Sequence, residues 1–74
     1  MSVQIVMDGS GDTRYEFDAS TPAALIRAGR RFRELTSKGF TAVALGKQAE
    51  PGSLVHDFDP HVDQTLFIPR LQGG

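Results

Sequence analysis

Five turn-forming residues, Asp8-Gly9-Ser10-Gly11-Asp12, sit between two runs in which side-chain character alternates. Before them, Val3, Ile5 and Met7 share one face of an extended segment, with Gln4 and Val6 on the other. After them, residues 13–18 alternate again, with Tyr15 and Phe17 on one side. Period-two alternation broken by glycine-rich turn chemistry predicts a β-hairpin. The Gly-x-Gly of this turn is not a phosphate loop, because it lies between strands and the motif's lysine and hydroxyl are absent.

The pattern then changes period. Ser20-Thr21-Pro22 supplies an N-cap, from Ser20 or Thr21, followed by proline in the first helical position. Leu25, Ala28, Gly29, Phe32 and Leu35 recur at three- and four-residue steps, which predicts an amphipathic helix over 22–38 with its apolar stripe on a sheet. Gly39 closes it, with Lys38 beside the negative helix end. Gly29 costs about 1 kcal/mol relative to alanine inside a helix, so its place on the stripe suggests close approach to the sheet. Arg27, Arg30, Arg31 and Arg33 fall on the outer face, where they serve either an acidic partner or, more simply, as a solvated surface.

The second half reads as short strands and turns. Residues 40–45, Phe-Thr-Ala-Val-Ala-Leu, form a third strand. Turns at Gly46-Lys47-Gln48 and Glu50-Pro51-Gly52 leave room between them for one very short strand. Residues 53–58 suit a helical turn with Leu54 and Phe58 pointing inward, ended by Asp59-Pro60. The apolar run at 65–68 is the last strand, stopped by Pro69, which has no ladder donor. Ile5, Phe17, Leu25, Phe32, Leu35, Leu54, Phe58 and Leu66 are the expected core. The fold class is therefore α+β, a mixed sheet of four to five strands packed on one helix.

Composition limits what such a domain can do. With 74 residues there is one small domain, and with no cysteine there is no disulfide, no thiolate nucleophile and no Cys-based metal site. A net charge of −1 gives no footprint for nucleic acid or an anionic membrane. No signal peptide or membrane span is seen, and a cytoplasmic protein is expected. His56, Asp57, Asp59, His61 and Asp63 are all metal-ligand types, but they lack the glycine and distal glutamate of a calcium loop, and Pro60 scatters their directions. A solvated acidic loop is the expectation. No residue is assigned a catalytic role, and the chain is not expected to be an enzyme.

The domain is expected to span 1–69, with 70–74 as a flexible tail of Arg70-Leu71-Gln72-Gly73-Gly74. Glycines thin the peptide, so it fits a narrow channel and leaves the terminal carbonyl open to attack. A carboxylate must be activated, usually as an acyl-adenylate, before a thiol or amine attacks it. This suggests a carrier whose reactive group is its own C-terminus.

Hairpin, helix, strand, turn-rich stretch, last strand and Gly-Gly tail follow the order of the ubiquitin family of β-grasp proteins. Gly46-Lys47-Gln48-Ala49-Glu50-Pro51-Gly52 resembles that family's Gly-Lys-Gln-x-Glu-x-Gly turn. Thr65-Leu66, together with Arg70-Leu71-Gln72-Gly73-Gly74, resembles its Thr-Leu…Arg-Leu-Arg-Gly-Gly end, one residue shorter. Asp57-Phe58 sits where the family has Asp-Tyr. The layout covers the whole chain, while the identities are confined to the second half.

The resemblance implies a protein modifier conjugated through Gly74, with Gly73 as its channel partner. Arg70, with Leu71 and Gln72, would be recognised by an activating enzyme. Lys47 matches a lysine used to link one modifier to another. It implies no cofactor of the chain's own, ATP and magnesium being used by the activating enzyme. Conjugating enzyme, isopeptidase and target proteins complete the partners, with the free protein a monomer.

Departures are specific. Gln72 replaces an arginine, Pro69 stiffens the approach to the tail, and there are only two lysines, Lys38 and Lys47. The first turn, Gly-Ser-Gly, lacks the family's aliphatic residue, so the partner surface reduces to Val43 and Ile68. Such differences suit a divergent modifier with its own enzymes, as in bacterial ubiquitin-like conjugation systems. The competing readings are a sulfur carrier bearing a C-terminal thiocarboxylate, as in thiamin or molybdopterin synthesis, and a non-conjugated β-grasp interaction domain.

Overall fold

The hairpin forms with a tighter turn than the sequence suggests. In a computed structural model, which describes residues 1–46 and 52–69, β1 (Ser2–Asp8) and β2 (Gly11–Phe17) pair antiparallel from Ser2↔Phe17 to Asp8↔Gly11. Only Gly9 and Ser10 lie between the strands. Asp8 Oδ1 accepts from the Ser10 backbone N–H at 2.8 Å and from its hydroxyl at 2.6 Å, and Gly11 follows at φ 124°, a conformation that favours glycine.

A second aspartate turn leads into the helix α1 (Pro22–Ser37). Asp18 Oδ1 accepts from the Ser20 N–H and hydroxyl, and the Thr21 N–H donates to the Asp18 carbonyl. Thr21 is the N-cap by backbone geometry, yet its side chain makes no capping hydrogen bond. Pro22 needs no donor there, so the turn is held by Asp18 instead. At the other end, the Lys38 N–H reaches the Glu34 and Leu35 carbonyls, and Gly39 at φ 101° turns the chain into β3 (Phe40–Leu45).

β4 (Ser53–Val55) and β5 (Gln64–Pro69) complete a five-stranded sheet of order β2-β1-β5-β3-β4. β1 and β5 run parallel at its centre, and the other neighbours are antiparallel. One helix crossing a mixed sheet of this order is a β-grasp-like arrangement. β4 occupies residues expected to form a helical turn. Its pairing with β3 decides the matter: Val55 packs toward the core, and Leu54, one residue away, stands on the opposite face at 65% exposure. Leu54 is therefore not a core residue.

The core lies between helix and sheet. Val6, Phe32, Ala42 and Phe67 make one buried cluster, and Phe17, Ala24 and Ala28 make another. Phe58, half-buried, touches both, with its ring centroid 6.1 Å from those of Phe17 and Phe32. Ile5, Phe17 and Phe32 are buried as expected, whereas Leu25, Leu35 and Leu66 are half-buried at the margins. A side chain added at Gly29 would begin 3.3 Å from Phe58 Cδ2. The close approach at Gly29 is thus to Phe58, in the connection after β4, rather than to the sheet.

Candidate functional site

The β1 alternation assigns its faces in an unexpected way. Val6 and Gln4 look toward the helix, so Val3 and Ile5 lie on the far side, where they are still buried. That far face is apolar along a row from β1 to β4. The registers align Ile5 with Leu66, Leu66 with Val43 and Val43 with Leu54, a row ended on β2 by Arg14. Ile68, two residues beyond Leu66 on the same strand, shares this face at 40% exposure.

Both expected surface residues, Val43 and Ile68, are therefore brought together, with Leu66 linking them. Leu54 extends the surface and was not anticipated. Its signal was the Ser53-Leu54-Val55 alternation, which a helical reading of the stretch conceals. Gly52 is also part of the design, because a Cβ there would collide with Val43 Cγ1 and lie 3.2 Å from Leu45 Cδ2. The row itself, Ile5, Leu66, Val43 and Leu54, contains no ionisable group, and the charged residues of this face lie on β2. It suits the docking of apolar side chains from a partner.

β5 sets where the remaining expected residues attach. It pairs with β1 through Val6↔Phe67 and with β3 out to Phe40↔Pro69, so β5 ends beside the start of β3. Arg70, Leu71, Gln72, Gly73 and Gly74 lie outside the described residues, as does Lys47 with the expected short strand near it.

On the helix, Arg27, Arg30 and Arg33 are exposed, but Arg31 is not part of that solvated face. Its Nη1 donates to Gln4 Oε1 at 2.9 Å, and its guanidinium lies 3.9 Å from the centre of the Tyr15 ring. In the acidic loop, Asp59 Oδ1 accepts from the His61 backbone N–H. Among the described residues no three His, Cys, Asp or Glu side chains converge to hold a metal. Among the described residues, hydrogen bonds from Ser10 hold the Asp8 carboxyl below its ordinary pKa, and those from Ser20 do the same for Asp18. No helix among the described residues is long and apolar enough to cross a membrane.

No family model matches the chain, nor does any curated protein or solved structure compared with it.

Proposed function

We propose that this protein is a ubiquitin-like modifier of the cytoplasm, joined through Gly74 to lysine amines of target proteins. The observation that carries the reading is the β-grasp-like sheet, with β1 and β5 parallel at its centre, followed directly by Arg70-Leu71-Gln72-Gly73-Gly74. The apolar row through Val43 and Leu66 supports it by offering a face for a partner's apolar side chains.

The chemistry is a sequence of acyl transfers with Gly74 as the terminal residue of the active form. An activating enzyme joins the Gly74 carboxylate to ATP, releasing pyrophosphate and leaving an acyl-adenylate. A cysteine thiolate displaces AMP to give a thioester, and a conjugating enzyme takes over the acyl group. A lysine amine then displaces the thiol and forms the isopeptide bond. Arg70, Leu71 and Gln72 are read by the activating enzyme. Lys47 is an acceptor for linking copies, and an isopeptidase reverses the bond.

The experiment is expression with the cognate enzymes and ATP, followed by denaturing electrophoresis and mass spectrometry. Conjugates that survive boiling in reductant, with a remnant ending in Gly73-Gly74 on target lysines after digestion, support the modifier. A chain whose terminal carboxylate has one oxygen replaced by sulfur, with no conjugates, supports the sulfur carrier. Neither species, with partners bound by the intact fold, leaves a non-conjugated interaction domain.

A further inference from the structure

Among the described residues nothing pairs with the outer side of β2, and the direction of its backbone groups follows from one hydrogen bond. The Val3 N–H donates to the Asp63 carbonyl at 2.9 Å, on the β5 side of β1. Backbone groups along a strand alternate in direction, so Val3, Ile5 and Met7 point theirs toward β5, while Ser2, Gln4, Val6 and Asp8 point theirs toward β2. By the register, Gly11, Thr13, Tyr15 and Phe17 spend their N–H and C=O on β1. Asp12, Arg14 and Glu16 therefore present theirs to the open edge.

Among the described residues, that edge is guarded by side-chain charge alone. β2 holds seven residues in unbroken register, without proline, lysine or bulge, whereas the opposite edge, β4, has only three. Its residues from Gly11 to Glu16 are exposed. Tyr15 lies on the helix side beneath Arg31, so Arg14 and Glu16 project from the other face. Along that face the charges run Asp12, Arg14, Glu16: negative, positive, negative.

We propose that β2 pairs antiparallel with β2 of a second copy, about a two-fold axis through Tyr15. This register sets Arg14 opposite Glu16 of the second copy and Glu16 opposite its Arg14, at positions where backbone groups of both strands are free. It places Tyr15 against Tyr15 and keeps residues 13–17 of both copies inside regular strand. Asp12 then falls opposite Asp18, a like charge that lies past the end of β2 at Phe17.

Neighbouring registers fare worse. An axis through Arg14 opposes Arg14 to itself and Asp12 to Glu16, so like charges meet. An axis through Thr13 pairs Asp12 with Arg14 but carries Glu16 and Phe17 over the Gly9-Ser10 turn. The edge is thus complementary to itself in one register, which selects a second copy as occupant. The pairing is isologous, as a two-fold dimer requires. It departs from the free monomer expected from the sequence. One strand pair is a small interface, so the dissociation constant should be on the order of 0.1–1 mM.

Sedimentation of the full chain from about 10 μM to about 2 mM tests this. The native protein should shift from monomer to dimer. Arg14→Glu and Glu16→Arg should each weaken the dimer about tenfold, because each turns two attractive pairs into repulsive ones. The double variant R14E/E16R should recover to within about threefold of the native value. Arg14→Pro removes an N–H facing the open edge, and should abolish dimerisation with the circular dichroism unchanged. If that variant unfolds, the charge-swap comparison decides alone. A monomer at every concentration overturns the proposal, as does a dimer indifferent to both single reversals or one the double variant fails to restore.

Discussion

Gln4, 1% exposed in the middle of β1, donates its Nε2–H to the carbonyl of Ala28 in the middle of α1, across 3.0 Å. Its other side-chain atom, Oε1, accepts from Arg31. A buried amide on the helix-facing side of a central strand is costly unless both ends are satisfied, and here both are. The contact fixes which turn of the helix lies over β1, and it draws Arg31 inward onto Tyr15.

Gln4→Ala should therefore destabilise the fold by about 2–4 kcal/mol, through the cavity left and the buried groups that lose a partner. Gln4→Leu keeps most of the volume and should cost less. Urea unfolding of both variants measures the difference. Equal losses would show that the hydrogen bonds matter and the volume does not.

Gly29→Ala separates helix propensity from packing. In an open helix the change should stabilise by about 1 kcal/mol. Here the new methyl meets Phe58 Cδ2 at 3.3 Å, tight enough that the ring must give way while it also packs on Phe17 and Phe32. The single variant should be neutral or destabilised. In a Phe58→Leu background the same change should recover most of the helix gain. A double-mutant cycle on thermal or urea midpoints checks it, the coupling being the quantity of interest.

How far the sequence was legible follows from what each signal encodes. Periodicity identified β1, β2, α1, β3 and β5, because long patterned stretches fix element type. It could not say which face of β1 meets the helix: Val3, Ile5 and Met7 look like the inner face, yet Gln4 and Val6 hold that place. The choice depends on the tertiary match between Gln4 and the Ala28 carbonyl, which no local window contains. β4 was misread because three residues carry almost no period, and the pairing with β3 overrides their local preference. Of the expected surface, Val43 and Ile68 were legible through the resemblance. Leu54 and Gly52 became visible only when strand pairing set their face.

The two aspartate turns should make the ends of the hairpin and helix acid-sensitive. Hydrogen bonds from Ser10 lower the Asp8 pKa, and those from Ser20 lower that of Asp18. A carboxyl whose folded pKa lies below its unfolded one stabilises the native state above the unfolded value, near 3.8, and that contribution fades as pH falls through the folded pKa. Stability should thus be insensitive to these groups at neutral pH and decline only below the ordinary aspartate range. Carboxyl chemical shifts titrated by NMR should place both midpoints below the normal value. Ser10→Ala and Ser20→Ala should return the respective midpoint toward it.

Leu54 and Val55 are neighbours in sequence with opposite duties, and they offer the sharpest test of the outer face. Val55 packs against the cluster of Phe32, Ala42 and Phe67, whereas Leu54 stands beside Val43 on the far side of the sheet at 65% exposure. Val55→Ala should lower stability by about 1–2 kcal/mol, since a partly buried aliphatic side chain loses two methyl groups. Leu54→Ser should change it by no more than about 0.5 kcal/mol, as surface substitutions do. If the face serves partner recognition, Leu54→Ser and Val43→Ser should weaken binding of conjugating or reader proteins, measured by calorimetry, with the domain still folded. Val55→Ala should leave that binding unchanged wherever the domain remains native. The reverse pattern, with Leu54→Ser unfolding the domain and Val55→Ala silent, would mean that β4 turns its other face to the core and that the expected inward Leu54 was right.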